Sequence, residues 1–392
     1  MKYDFTEVFD RYDCGSQKWA AMGEKQKKGI VPLSVADMEF ATPPQIKKAL
    51  TKWIEDNPMG YTGPTDSYYQ AVISWMKRKH HWDVKKEWIV TTPGVVIAVC
   101  TAVQLLTKPG DGILMLTPIY SPFFRVLRYT QTKLVDCPLI HEDHTYHIDF
   151  ADLDQKLAQA NTKVMILCSP HNPVGRIWSK EELKQIAELC KKHGVFILAD
   201  EIHNDLALPG YTHTVLTSLD PSYNDFVITF TSGSKTFNLA GLQLSNIIIA
   251  NQELREKFID TMESLHVAIQ NCLSYTALMT GYNECEDWVN EVLLVIEGNY
   301  RVLKDFLSRH FPKADLAKLE GTYLAWVDMN PYFKDLEHFH QFLREDAKFF
   351  IIEGEPFGTG GYGFLRINLA CARSTIEKAL DRLAKAYQNY VF

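Results

Sequence analysis

The chain has 392 residues, of which 46% are hydrophobic and 23% charged, a composition typical of globular proteins and a length sufficient for two domains. Its 41 basic and 48 acidic residues give a formal net charge of -7, which argues against nucleic acid as a partner. No apolar run is long enough to suggest a membrane span, and the charged N-terminus lacks the apolar core of a signal peptide.

The eight cysteines are scattered along the chain and form no Cys-x-x-Cys pair. Several lie within apolar runs, which favours buried free thiols over a disulfide framework or a zinc site. We therefore expect a protein of the reducing cytoplasm.

The N-terminal region is predicted to be irregular as far as about residue 45. A helix is expected from Gln45 to about Glu55. The loop from Asn57 to Pro64 contains two prolines and two glycines, which exclude regular structure and present Tyr61 on a stiff turn.

The central region alternates apolar strands with helices. The strands are predicted at 88–91, 113–116, 133–137, 163–168, 195–198, 227–230 and 246–249. Helices are predicted at 95–106, at 123–129 and up to His193, the last with a capping box of Ser179 and Glu182 and a stop at Gly194. This alternation predicts an α/β fold with a mostly parallel sheet that is covered on both faces.

The regular alternation of strands and helices ends at about residue 285. A helix at 289–306, strands at 323–327, 349–352 and 364–367, and a final helix that is capped by Ser374 with Glu377 and runs to about Tyr387 predict a smaller α+β unit. We expect a large domain at 46–284 and a small domain formed by 1–45 plus 285–392.

The segment from Gly358 to Gly363 matches the pattern GxGxxG of dinucleotide-binding proteins. That fingerprint requires a strand before it and a helix after it, whereas a predicted strand follows here. We interpret the segment as a flexible loop between two strands.

Polar residues follow the ends of several predicted strands, where ligands bind in open α/β sheets. They are Gly94, Tyr120, Asn172, Asp200 with His203, and the run from Ser232 to Lys235. Each alone could be a turn, a core residue, a loop breaker, a solvated strand end or a surface lysine. Their coincidence at successive strand ends favours one shared site.

Pyridoxal phosphate accounts for every member of this set. Lys235 can form a Schiff base, and Asp200 can keep the pyridine nitrogen protonated so that the ring accepts electrons. Asn172 can donate to the phenolate oxygen, and Tyr120 can lie over the ring.

The phosphate and the substrate carboxylate need further donors. The phosphate could be bound by the N–H groups of Gly94, Val95 and Val96 at a helix start and by the hydroxyls of Ser232 and Ser234. Arg366, within an apolar strand, could bind a substrate carboxylate through two parallel hydrogen bonds. The alternative is an arginine that extends from a sheet face to solvent.

These motifs resemble the fold-type I pyridoxal-phosphate enzymes of the class I/II aminotransferase family along nearly the whole chain. The segments that carry this resemblance are 172–175, 200–203 and 232–235. Four longer segments are similar to the MalY/PatB-like branch of cystathionine and cysteine-S-conjugate β-lyases, namely 35–40, 169–176, 200–205 and 234–242.

The resemblance implies a homodimer with its active sites at the subunit interface, where Tyr61 would reach the partner's site. The alternative is that Tyr61 packs on its own turn. It also implies catalytic roles for Lys235, Tyr120 and Tyr61, and substrate binding by Arg366 and Asn172.

The activity implied by the resemblance is β-elimination from an L-cysteine conjugate such as cystathionine. The same residues would serve an aminotransferase, which is the alternative. A binding protein without turnover is a third reading, and the presence of Lys235, Asp200 and Arg366 together argues against it.

Two positions differ from the family pattern. Gln243 stands where the family usually has an arginine, and His203 stands where it often has a tyrosine. The resemblance therefore leaves the phosphate and phenolate contacts open.

Overall fold

The computed structural model describes residues 1–23 and 29–390. Its helices are α1 Gln17–Ala20, α2 Pro44–Asp56, α3 Asp66–His80, α4 Val95–Leu106, α5 Pro122–Thr130, α6 Phe150–Leu157, α7 Lys180–His193, α8 Gly233–Thr236, α9 Gln252–Ser264, α10 Cys272–Glu284, α11 Glu286–His310, α12 Leu336–Glu345 and α13 Arg373–Tyr387. Its strands are β1 Ile89–Thr92, β2 Gly112–Thr117, β3 Lys133–Pro138, β4 Ile140–Glu142, β5 Thr145–His147, β6 Thr162–Cys168, β7 Phe196–Asp200, β8 Val227–Thr231, β9 Ser245–Ile248, β10 Asp315–Leu316, β11 Leu324–Asp328, β12 Ile352–Glu353 and β13 Phe364–Asn368.

The larger sheet has seven strands in the order β1-β9-β8-β7-β6-β2-β3. Strand β9 runs antiparallel to both of its neighbours, and the other adjacent pairs are parallel. The carboxyl ends of β2, β6, β7 and β8 consequently meet at one edge of the sheet.

Helices cover both faces of this sheet. Because side chains alternate along a strand, Ile113 packs in a core with α4, α5 and α9, whereas Leu114 packs in a core with α6 and α7. Strands β2, β7 and β8 are therefore almost completely buried on both faces, as expected for a covered parallel sheet.

The smaller sheet is antiparallel, with the order β10-β11-β13-β12. Arg366 lies in the inner strand β13, paired with Trp326 on one side and Ile352 on the other. This position holds the arginine backbone rigidly between two neighbours.

The mostly parallel α/β architecture and the smaller α+β unit are as predicted, with three local corrections. The N-terminal region contains α1 and a short 3-10 turn at Tyr12–Cys14. The strand expected at 349–352 is reduced to Ile352–Glu353, because its first residues follow helix α12 as an irregular turn. Ser374 lies inside α13, which begins after Ala372 without a side-chain cap.

The capping box of Ser179 and Glu182 is confirmed, with both reciprocal hydrogen bonds present. The segment from Gly358 to Gly363 connects β12 to β13 and forms no helix, so the dinucleotide fingerprint is absent there. Among the residues described, none of the helices is apolar over a length that could cross a bilayer.

Candidate active site

A cavity of about 450 Å³ lies at the carboxyl edge of the larger sheet. The predicted residues that line it are Gly94, Val95, Val96, Tyr120, Asn172, Asp200, His203, Ser234 and Lys235. Ser232, Arg366 and Tyr61 are not among its lining residues. Residues that are up to 141 positions apart in the chain thus converge because four strands end at the same edge.

Lys235 reaches the cavity from α8, a single turn that follows directly after β8. Its Nζ donates a hydrogen bond of 2.7 Å to the carbonyl oxygen of Ala36. Burial, together with the positive charge of Arg366, lowers the pKa of Lys235 to about 8. A fraction of this amine is therefore unprotonated near neutral pH and available as a base or nucleophile.

Asp200 ends β7 and is buried, with its carboxylate accepting a hydrogen bond of 3.2 Å from the N–H of Ile202. Burial raises the pKa of Asp200 to about 7. A cation that binds to the remaining carboxylate oxygen would stabilise the ionised form, because its charge compensates for the hydration that burial removes.

His203 lines the same cavity as Asp200 and is also buried. Burial and the charges of Lys235 and Arg366 lower the pKa of His203 to about 3, so the ring is neutral. Its Nδ1 has no hydrogen-bond partner among the described residues. A buried ring nitrogen without a partner is suited to a polar group of a bound ligand.

Arg366 is connected to the cavity through Asn172. Its Nη1 donates a hydrogen bond of 3.1 Å to Asn172 Oδ1, and the ring of Phe357 covers the guanidinium at 5.0 Å. Burial lowers the pKa of Arg366 to about 10. In the described part of the chain Arg366 forms no ion pair, so this buried cation is without a counter-ion.

The start of α4 forms another wall of the cavity. Gly94 precedes the helix and provides no side-chain cap, so the first-turn N–H groups, including those of Val95 and Val96, have no intrahelical acceptor. Ser234 and Gln243 also line this region. The arrangement of free N–H groups and a hydroxyl suits an anion.

The predicted phosphate role of Ser232 is not supported by its position. Its hydroxyl donates a hydrogen bond of 2.7 Å to the carbonyl oxygen of Leu244 and accepts one of 3.1 Å from the N–H of Ser234. The second contact caps α8, the first joins it to the residue before β9, and the side chain is not among those that line the cavity. Ser232 therefore positions Lys235 through the local backbone.

The two tyrosines occupy different environments. Tyr120 lines the cavity, packs edge-on against Phe123 at 5.5 Å, and has its pKa raised by burial. Tyr61 is 95% exposed, so it lies outside the cavity of its own chain.

The sequence patterns did not predict a role for Ala36, Cys168 or Ile202, which also line the cavity. Ala36 belongs to an N-terminal segment that Asn238 holds in place. Asn238 accepts a hydrogen bond from the N–H of Met38 at 2.9 Å and donates one to its carbonyl oxygen at 2.8 Å. The segment at 35–40 carried the family resemblance, which was the available signal for its place at the site.

The donor set fits pyridoxal phosphate. One cavity is lined by a buried amine, a buried carboxyl group, free N–H groups and a ring nitrogen that has no hydrogen-bond partner among the described residues. The buried cation Arg366 lies behind this wall and hydrogen-bonds to Asn172. Lys235, Asp200, Asn172 and His203 would hold the ring, and the start of α4 with Ser234 would hold the phosphate.

The comparisons with known proteins agree with this fit. Residues 28–383 match the family model of aminotransferase class I and II. The chain is 37% identical over 387 residues to the cystathionine beta-lyase PatB of Bacillus subtilis, covering 98% of this chain and 100% of PatB. It is 28% identical to the protein MalY of Escherichia coli, covering 98% of each.

Two solved structures are similar over almost the entire chain. Cystalysin from Treponema denticola, which contains a pyridoxal 5'-phosphate cofactor, has a TM-score of 0.97 at 43% identity and covers 99% of this chain and 100% of its own. The pyridoxal-phosphate-bound C-S lyase from Staphylococcus hominis has a TM-score of 0.92 at 32% identity and covers 100% of both chains.

Proposed function

The chain belongs to the class I and II aminotransferase family, and from this premise we propose that it is a pyridoxal-phosphate-dependent carbon–sulfur β-lyase. It cleaves L-cystathionine or a related L-cysteine S-conjugate with water to pyruvate, ammonia and a thiol. The relatives named cystathionine beta-lyase and C-S lyase support this activity, and the predicted fold type I is confirmed by the solved structures.

The observation that carries the proposal is the buried, partly unprotonated Lys235, which shares one cavity with Asp200. The charge of Arg366, for which the described residues provide no ion pair, acts on the same amine. Bound pyridoxal phosphate would supply an electron sink for the negative charge that develops on the substrate α-carbon. Lys235 Nζ would take the proton from that carbon. Asp200 would hold the proton on the pyridine nitrogen.

The substrate carboxylate would bind to Arg366, a buried cation that forms no ion pair with any residue the structure describes. The Asn172 side chain holds one nitrogen of the guanidinium through its 3.1 Å hydrogen bond, and the ring of Phe357 covers the charge. This orientation would keep the α-carbon within reach of Lys235.

Arg366→Lys is expected to raise KM by about 10–100-fold, with a smaller decrease in kcat. An ammonium retains the charge but loses the planar pair of donors, and a hydrogen bond to a charged group contributes roughly 1.5–3 kcal/mol. Steady-state kinetics with cystathionine measure both constants. Arg382→Lys is the matched control, because Arg382 is a partly buried arginine that donates to the Lys348 carbonyl outside the cavity. Unchanged kinetics for Arg366→Lys would assign the carboxylate to another residue.

The activity is tested by incubating the purified protein with L-cystathionine in the absence of a keto acid. We expect pyruvate and free thiol to form over many turnovers, because a β-thiolate can leave once the α-proton is removed. With alanine, which has no β-leaving group, we expect at most slow conversion of the cofactor to its aminated form. Absence of thiol, together with rapid turnover of alanine and 2-oxoglutarate, would identify an aminotransferase instead.

We also propose a homodimer in which Tyr61 reaches the partner's active site. The exposure of Tyr61 and of its neighbour Met59 supports this, because such apolar side chains gain from burial at an interface.

Mixing Tyr61→Phe subunits with Lys235→Ala subunits tests the shared site. If Tyr61 acts across the interface, a mixed dimer has one site in which both residues are wild-type, so activity is restored on mixing. With a tyrosine that acts within its own chain, mixing restores nothing. Each variant alone serves as the control.

We further propose that 46–284 forms the large cofactor-binding domain and that 1–45 with 285–392 forms the small one. All strands of the seven-stranded sheet lie before residue 249 and all strands of the four-stranded sheet lie after residue 314, which supports this division.

A cytoplasmic location is supported by eight free cysteines, five of them buried. Cell fractionation, with the chain detected in each fraction by an antibody, tests the location.

A further inference from the structure

Three side chains that the proposed reaction does not use come together at the rim of the smaller sheet. His340 lies on α12, Glu353 lies on β12, and Glu355 begins a short 3-10 turn at Glu355–Phe357. One donor atom from each side chain lies within 4.8 Å of the other two. The cluster therefore joins three separate segments of the fold.

The imidazole of His340 is the buried member, with an exposed fraction of 5%. Its Nε2 has no hydrogen-bond partner in the described part of the chain. Nδ1 is 3.6 Å from Glu353 Oε2, and Nε2 is 3.9 Å from Glu355 Oε1, both beyond hydrogen-bonding distance. The space between the ring and the carboxylates is thus wider than a direct contact requires.

A single ion can use only one of the two ring nitrogens, so the relevant set is one nitrogen with one oxygen from each carboxylate, and these three atoms lie within 4.8 Å of one another. Zinc binds imidazole nitrogen and carboxylate oxygen at about 2.0–2.2 Å, which places ligand atoms of a tetrahedral site roughly 3.5 Å apart. The three side chains would complete the site by moving closer to one another while the backbone of their segments stays in place.

The two carboxylates are also held in place by hydrogen bonds from groups outside the cluster. Arg344 hydrogen-bonds to Oε1 of Glu353, which leaves Oε2 facing His340. The N–H of Gly363 donates to Oε1 of Glu355 at 3.2 Å. Outer contacts of this kind orient metal ligands and reduce the rearrangement on binding.

We propose that His340, Glu353 and Glu355 form a binding site for a divalent transition-metal ion, with zinc as its preferred occupant. One imidazole with two carboxylates favours zinc or a neighbouring transition metal, whereas magnesium and calcium prefer an all-oxygen shell. One imidazole nitrogen binds the ion, and water completes the coordination.

A bound ion would act on the wall of the active site from outside the cavity. Phe357, in the same turn as Glu355, covers the guanidinium of Arg366, and the segment 358–363 starts immediately after it. The ion would join this turn to α12 and β12, so its binding would stabilise the region that supports Arg366.

The test is isothermal titration of zinc chloride into the cofactor-loaded Cys14→Ser protein, which lacks the exposed thiol. We expect one equivalent of zinc to bind, to raise the melting temperature, and to bind more tightly than magnesium. Glu353→Gln and Glu355→Gln should each weaken binding by at least about 10–100-fold, the effect of losing even an outer contact. Both positions are half-buried, so these variants are expected to fold even if His340→Ala does not.

His144→Ala is the matched control, because His144 contacts Asp315 on another surface outside this cluster. It should leave zinc binding unchanged. Failure of zinc to bind would overturn the proposal and leave His340 as an imidazole between two carboxylates. Equal binding by both glutamine variants and the parent protein would also overturn it. Since binding is measured without substrate, neither result depends on the lyase activity.

Discussion

Lys235→Ala is expected to abolish turnover of cystathionine and to remove the visible absorption that borohydride can reduce. The substitution deletes the amine that would link covalently to the cofactor and take the α-proton. Loss of a general base alone costs about 10²–10⁴-fold in rate, and loss of the covalent link adds to this. Absorption spectra before and after borohydride, with kcat from pyruvate formation, measure both effects.

Lys18→Met provides the matched control, because Lys18 is a buried lysine outside the cavity that pairs with Glu39 at 3.0 Å. Its loss should lower stability, since Glu39 would lose a partner, while the folded protein keeps the reducible absorption. A wild-type protein that shows no reducible absorption after reconstitution with pyridoxal phosphate would contradict the cofactor assignment. So would a Lys235→Ala variant that retains it.

The position of the site was predictable because it depends on topology. Apolar strands that alternate with helices imply a parallel sheet, and parallel strands end at the same edge. Asn172, Asp200 and Lys235 each follow such a strand, so their convergence on one cavity needed no knowledge of the loops.

The orientation of individual side chains was less predictable, because it depends on contacts between distant segments. Ser232 has the residue type of a phosphate ligand, but the Leu244 carbonyl, 12 residues away, accepts its hydroxyl. The carbonyl of Ala36 contacts Lys235 across 199 residues, and nothing in the local pattern of either segment encodes that contact. Ser374 has a favourable capping residue type, yet α13 begins one residue before it.

Asp200→Asn is expected to reduce kcat by about 10²–10³-fold while most of the cofactor stays bound. The amide is close in shape to the carboxyl group but carries no negative charge, so it cannot stabilise a protonated pyridine nitrogen. Removal of one electrostatic partner of a developing charge typically has an effect of this size. The rate is measured as pyruvate formed per bound cofactor, with cofactor content determined after alkaline release.

Glu201→Gln is the matched control, because Glu201 is the adjacent buried carboxylate. Its oxygens accept hydrogen bonds from the N–H of Leu216 at 3.0 Å and contact His213 Nε2 at 2.8 Å, away from the cavity. This variant should lose stability but keep its rate per cofactor. A near wild-type rate for Asp200→Asn would assign the pyridine nitrogen to another residue.

Although Asp200→Asn should lower the rate, it should raise the thermal stability of the cofactor-free protein at high pH. Because the folded-state pKa of Asp200 is raised from 3.8 to about 7, its ionisation opposes folding. The stability it contributes is therefore fully present below pH 3.8 and lost as the pH rises towards 7. At pH 8 the cofactor-free Asn variant should melt at a higher temperature than the cofactor-free wild type. At pH 4 the two should melt at similar temperatures. A variant that melts lower at both pH values would show that Asp200 stabilises the fold, in which case its burial does not reflect a requirement of the active site.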